Sequence, residues 1–463
     1  SFPTRRSSDL LIANIGENKM EEQRIQDYWN LIEQLLTCPE REQTAILHAN
    51  SSLIDETFVK GMKWVANEMA EAGETNAKWL QGFAVRLAEM METWEQLYNR
   101  LVHLYNIGQY GEAIPIGKQA RQLAVEIWGP THPKVATSCN NLAELYRSQG
   151  CYAEAEILYL KSLAILQEDI PTNHSSFAAN LNNLALLYFF EGRYVEAEAL
   201  YLKVVAIQKE ILPANHPARA TNLSNLGLLY SSQNRYTEAE ALYLEAIAID
   251  RKVLSTKHPD LARDINNLAL LYKSQQRYIE AEILYLEVLT IADKALPTKH
   301  PNRATYLNNL AELYKSQKCY AEAEALYLKA LVIDREVLPT NHPCLARDLN
   351  NLADLYAFQC HYEEAEALYL EAVAIDREAL PANHPSLATD LNNLALLYTF
   401  QDRYTDAEPL CQEAIAISRE ALPANHPSLA SGLNNLAGML AASDRPQEAL
   451  ELMQEASEID NTN

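Results

Sequence analysis

The chain has 463 residues, 48% of them hydrophobic, and a formal charge of −24. So acidic a body offers no basic face to a phosphate backbone, which excludes nucleic acid as a partner, and no apolar run approaches the ~20 residues a membrane helix needs. The seven cysteines (Cys38, Cys139, Cys151, Cys319, Cys344, Cys360, Cys411) form no CxxC pair and no regular framework, so reduced thiols of a cytoplasmic protein are expected rather than disulfides.

The sequence begins at Ser1 rather than methionine. Arg5-Arg6 is followed by an apolar stretch, Leu10-Leu11-Ile12-Ala13, too short for the core of an export signal. Ser1 to Leu10 looks like sequencing-adapter read-through and Met20 would make a natural start, so residues 1–19 are expected to be artefactual or disordered. From Met20 to about residue 90 the pattern is helical but unrepeated: Tyr28, Leu31, Ile32, Leu35 and Leu36 share one face, as do Phe58, Met62, Val65 and Met69. All five tryptophans (Trp29, Trp64, Trp79, Trp94, Trp128) precede residue 130, a composition shift that places a boundary near residue 90. They are expected to fill the core of a small helical segment, residues 20–90, that caps a repeated array.

From residue 91 to the end one unit is copied. His132, His174, His216, His258, His300, His342, His384 and His426 are each 42 residues apart, and all but His174 precede a proline. So fixed a period marks a repeat architecture. A degenerate copy between Trp94 and Trp128 keeps Leu101, Tyr105, Tyr110, Ala113 and Ala120, making about nine repeats, and terminal repeats are expected to deviate.

Within a repeat the His-Pro step opens a helix A, because proline is tolerated where the helix leaves its N–H unpaired. Helix A runs to about Arg147, a turn comes next, and helix B begins at Tyr152 with Ala155, Tyr159, Ser162 and Leu166 at helical spacing. Pro171, Pro213, Pro297, Pro339, Pro381 and Pro423 are expected to end helix B. Pro115 and Pro409, five residues after the tyrosine opening helix B, should cause a local bend at most. Ala143 and Ala155 let the two helices approach, with Leu142, Tyr146 and Tyr159 between them; no alternating Val/Ile run suggests a strand.

The order Leu142-Ala143, Tyr146, Gly150, Tyr152, Ala155, Tyr159 resembles a tetratricopeptide repeat. The 42-residue length and the recurring Asn-His-Pro and Asn-Asn-Leu-Ala elements are similar to the kinesin light chain class of that family. The resemblance implies an all-α fold: a right-handed α-solenoid of tandem helix-turn-helix repeats, helix A lining a concave groove that receives a peptide. It implies a non-catalytic scaffold for protein partners. Residues 20–90 also resemble leader regions of multidomain bacterial proteins. The alternative is therefore a sensor or regulatory region of a larger enzyme, with an effector such as a caspase-like protease outside this chain. A third reading is self-association through the ends of the array.

A stripe on helix A at steps of four, three and four lies on one face. Its asparagine never varies between repeats: Asn141, Asn183, Asn225, Asn267, Asn309, Asn351, Asn393. By the resemblance this carboxamide can hold a peptide backbone, since it both donates and accepts; the alternative is an asparagine bonded to the adjacent helix. Leu186, Phe190, Leu228, Leu270, Leu396 and Phe400 would be apolar on that face, forming a partner patch if exposed and core if tucked between helices. Arg263 and Arg347, with Lys273 and Lys315 nearby, would attract an acidic peptide unless they pair with Asp264, Asp348 or a neighbouring glutamate.

The eight histidines sit one per repeat, too far apart to share a metal whose ligands must lie about 2 Å from one ion. Glu154 and Glu156 point to different helix faces. No GxGxxG, GxxxxGK[ST], HExxH or GxSxG occurs, so neither catalysis nor a cofactor or metal is expected.

Overall fold

The computed structural model describes residues 22–167, 170–255 and 258–462, and among them every regular element is helical. The expectation for residues 1–19 lies outside the described residues. Contacts divide the chain into two compact units, the described parts of 1–105, 112–143 and 160–173, and of 106–111, 144–159 and 174–463.

The first unit opens with α1 (Glu22–Thr37), α2 (Glu40–Ala49) and α3 (Glu56–Glu71). Asp55 caps α3 by accepting from Phe58 N at 2.8 Å, and the same carboxylate accepts from the Tyr28 hydroxyl and pairs with Arg24 at 2.8 Å. Most of the anticipated faces are inside: Tyr28, Leu31, Ile32 and Leu35 are buried, as are Phe58, Met62, Val65 and Met69, while Leu36 is half-buried. The next helix, Ala77–Asn106, runs through residue 90 without a break and is followed by Tyr110–Trp128. Only Trp94 and Trp128 are fully buried; Trp29, Trp64 and Trp79 are half-buried. An indole is too large to be enclosed easily, and the two that are enclosed spend their N–H on Ser138 Oγ (3.3 Å) and Ile54 O (3.0 Å).

In the array, A helices start at Pro133, Pro217, Pro259, Pro301, Pro343, Pro385 and Pro427, and B helices at Tyr152, Tyr194, Tyr236, Tyr278, Tyr320, Tyr362, Tyr404 and Pro446. The histidine before each A-helix proline is the N-cap. His216, with φ −74° and ψ 132°, turns its ring back so that Nδ1 accepts from Ala218 N at 3.2 Å. His258, His300, His342, His384 and His426 do the same. The proline itself holds the preceding residue in the extended region and so fixes the start of the helix.

Where Ser175 replaces the proline that constraint is lost, and the helix reaches back to Ile170, spanning Ile170–Phe190. Pro171 then stands in its first turn, where a missing N–H costs nothing. It opens helix A rather than ending helix B. In later repeats the ends are as anticipated, with Leu212, Leu296, Leu338, Leu380 and Leu422 extended before proline. Helix B is continuous through Pro115 and Pro409.

Each A helix stops at a left-handed residue, as in Arg235 N bonding Tyr230 O at 2.9 Å after Asn234 at φ 60°. The next residue ties repeats together. Arg235 stacks on Tyr230 at 3.7 Å, pairs with its own Glu238 at 2.6 Å and with Glu198 of the preceding repeat at 3.0 Å; Tyr230 also donates to Glu198. The pattern recurs at Arg193, Arg277 and Arg403. The tyrosines opening this turn are therefore hydrogen-bonded anchors as well as packing, which composition alone did not reveal.

Candidate helix-A interaction face

Helical geometry brings the stripe together on one face of the A helices, and its apolar members are open. Leu228 is 36%, Leu396 38%, Phe190 41%, Phe400 60% and Phe358 68% exposed, while Leu186 and Leu270 are half-buried. Aromatic rings left that open in a protein with ample core are surplus to folding. Phe358 and Phe400 occupy the same position in successive repeats and flank a hollow of about 270 Å³, also lined by Asp354, Ala357, Tyr362, Tyr369, Asn393, Leu396 and Leu397. That is under the ~300–1,000 Å³ of small-molecule sites and on the scale of a side chain. Phe358 belongs to the stripe, but its position opposite Phe400 depends on how far one repeat rotates from the next.

The stripe asparagines are half-buried. Asn225 and Asn309 donate at 2.9 Å to Asn182 and Asn266 of the preceding repeat, so at these two positions the carboxamide is bonded to an adjacent A helix. Asn393 lines the hollow. Arg263 meets Asp264 at 3.0 Å and Asp260 at 3.2 Å, and Arg347 meets Asp348 at 3.1 Å, so both are largely neutralised by carboxylates of their own helices. Lys315 pairs with Glu312 at 2.7 Å, and Lys273 and Asp354 each complete the cluster at 3.8 Å. Burial, opposed by Glu312, lowers the Lys273 pKa.

Helix B responds to the stripe. Where its third position is acidic, the buried tyrosine beneath donates to it: Tyr159 to Glu144, Tyr327 to Glu312 at 2.7 Å and Tyr369 to Asp354. Burial followed by the adjacent carboxylate pushes these phenols far above their ordinary range. Where the position is Leu270, the hydroxyl of the buried Tyr285 has no protein partner.

Three further carboxyl pairs are enclosed between helix B of one repeat and helix A of the next: Asp250 with Asp264, Asp334 with Asp348, Asp376 with Asp390. Burial, reinforced by the facing aspartate, lifts Asp250 and Asp334 to about 7 and Asp376 to about 8. A spacing of 14 that recurs in the sequence could have found them, because the two aspartates come and go together: Gln208 accompanies Asn222, Ala292 accompanies Tyr306, Ser418 accompanies Gly432. No group of three or more His, Cys, Asp or Glu with metal-binding geometry exists among the described residues. No described helix is long and apolar enough to cross a membrane.

The tetratricopeptide repeat family profile matches residues 95–168, 176–252, 235–294, 260–318, 302–378 and 386–462. Among solved structures, a Podosopora anserina kinesin light chain protein of nearly identical TPR-like repeats is 28% identical, with 44% of this chain and 97% of that one covered at a TM-score of 0.37. BtubC (BKLC) from P. vanneervenii is 23% identical, with 49% and 90% covered at 0.40. A Rap protein complexed with Competence and Sporulation Factor is 12% identical, with 81% and 98% covered at 0.52, a likeness of fold. No curated protein matches the sequence.

Proposed function

Because the chain belongs to the tetratricopeptide repeat family, we propose that it is a non-catalytic scaffold whose helix-A face forms a concave groove for a peptide segment of a protein partner. The observation that carries this reading is the open aromatic pair Phe358 and Phe400 around a side-chain-sized hollow. A partner's apolar side chain entering it would remove both rings from water, and such buried aromatic anchors dominate interface energies. Asn393 lines the same hollow, and its carboxamide would hold the backbone beside that side chain. Repeats elsewhere along the stripe, with Phe190, Leu228 and Leu270, would extend the contact.

Apolar stretches of the face at Phe190 and Leu228 and at Leu396 and Phe400 are separated by an ionic cluster in which Lys273, Glu312, Lys315 and Asp354 neutralise one another. An apolar-anchored peptide fits this better than a strongly acidic one, since Arg263 and Arg347 are already paired. Selection from a displayed library of random peptides tests it. Binders should be enriched in aliphatic or aromatic residues and should lose affinity by about tenfold or more against the Phe358→Ser, Phe400→Ser double variant, a hot-spot loss above 1 kcal/mol. Circular dichroism should be unchanged, because neither ring is core. Binders that hold the double variant equally well would place the site elsewhere.

A further inference from the structure

Six A helices end on a left-handed residue that carries a side chain: Asn234, Gln276, Lys318, Cys360, Asp402 and Asp444, all with φ between 58° and 63°. Three earlier ones end on glycine, Gly108, Gly150 and Gly192, with φ of 72°, 68° and 71°. The backbone conformation therefore does not by itself demand glycine here.

What distinguishes the three glycines is contact. A methyl group added to Gly108 would lie 2.6 Å from His342 Cδ2 and 2.8 Å from its Nε2. At Gly150 it would meet Pro385 Cδ at 2.9 Å and His384 Cδ2 at 3.0 Å, and at Gly192 His426 Cδ2 at 3.2 Å. Each glycine thus faces the His-Pro turn 234 positions later (342 less 108, 384 less 150, 426 less 192). The offset is identical three times, so the repeats meet in one register.

The histidines are built for both partners. His426 Nδ1 accepts from Ser428 N at 3.1 Å, which leaves the proton on Nε2, and Nε2 donates to Phe190 O at 3.1 Å. His384 Nδ1 likewise accepts from Ser386 N at 3.1 Å, and its ring faces the equivalent Ser148 carbonyl. These carbonyls belong to the last turn of an A helix, where backbone oxygens lack helical partners.

We propose that the turns at Gly108, Gly150 and Gly192 form a self-docking surface, on which the His-Pro turns headed by His342, His384 and His426 of the same chain seat, so that the later repeats lock onto the earlier ones in fixed register. The caps at His258 and His300 serve their own helices alone. This inference does not depend on the proposed groove.

Gly108→Ala and Gly150→Ala in the full chain, compared with Gly73→Ala, where φ is +73° and an added methyl meets nothing within 4 Å, separate docking from local strain. Small-angle scattering should show a larger radius of gyration for Gly108→Ala and Gly150→Ala and no change for Gly73→Ala. Hydrogen exchange at residues 382–388 should quicken roughly tenfold in Gly150→Ala, as loss of a hydrogen bond and its packing entails, with the effect on size ordered Gly108, Gly150, Gly192 by closeness of contact. His426→Asn keeps a good N-cap and removes the docking bond to Phe190 O, so it should open the array while His300→Asn does not. Scattering and exchange indistinguishable from Gly73→Ala and His300→Asn would overturn the proposal. So would a contact that forms only between two copies, seen as a change in light-scattering mass on mutation without any change in the monomer.

Discussion

Replacing Tyr285 by alanine should cost about 3–5 kcal/mol, the usual loss for truncating a large enclosed aromatic. The side chain is completely buried in helix B of a central repeat, among Ala281 and Val288 of its own helix, and the equivalent Tyr243 presses on Gly227 so tightly that a methyl there would stand 3.0 Å away. Small residues on helix A exist to admit this ring, so its removal leaves a hole that rigid helices cannot close. Most of an array's cohesion runs through nearest-neighbour interfaces, so a fault in the middle should leave the two sides joined only by the turns docked across it. Guanidinium unfolding of Tyr285→Ala should split into two transitions; a single transition with an unmoved midpoint would show that the ring carries no such weight. The hydroxyl gives an internal contrast. Tyr285→Phe should be neutral or slightly stabilising because that oxygen has no protein partner, whereas Tyr327→Phe should cost about 1–2 kcal/mol by leaving Glu312 short of a donor.

That contrast shows which features are legible in the sequence. The period of 42, the helical spacing and the His-Pro step each state a backbone constraint, and they locate the two helices of every repeat that keeps the pattern. The one repeat lacking the proline escapes them, since Pro171 looks like a stop although its neighbour Ser175 removes the constraint that would make it one. What a side chain does with its polar atoms is harder to see. Histidine is not among the usual N-caps, so its capping role has no local signal. The acidic partner of Tyr327 comes from the other helix of its own repeat, while the aspartate facing Asp376 and the ring facing Gly150 come from other repeats, at separations fixed by the rotation between them. The stripe of residues can be drawn from helical geometry, but which of its members stand open, as Phe358 and Phe400 do, depends on that same rotation.

The buried aspartate pairs should make the protein less stable as pH rises through neutrality. Asp376 is enclosed against Asp390; burial comes first and the facing carboxyl second in pushing it up to about 8, with Asp390 held at about 6, while an unfolded chain ionises such groups near 3.8. Between those limits the folded state holds a proton that the unfolded state has released. Its contribution is complete below about pH 3.8 and disappears as pH climbs through about 8. Each such proton tilts the unfolding free energy by about 1.4 kcal/mol per pH unit, downward as pH increases. Buried histidines act in the opposite sense at lower pH: burial drops His384 to about 4, so its share of stability is lost as pH falls below the ordinary 6.5. The window from about pH 6.5 to 8 therefore isolates the carboxyls. Urea unfolding should show falling stability across it, and Asp376→Asn should flatten the decline. The amide can donate permanently to Asp390 where the acid could do so only while protonated, so the variant should exceed the parent by on the order of 2 kcal/mol at pH 8. Equal slopes for variant and parent would mean that the two carboxyls do not share a proton.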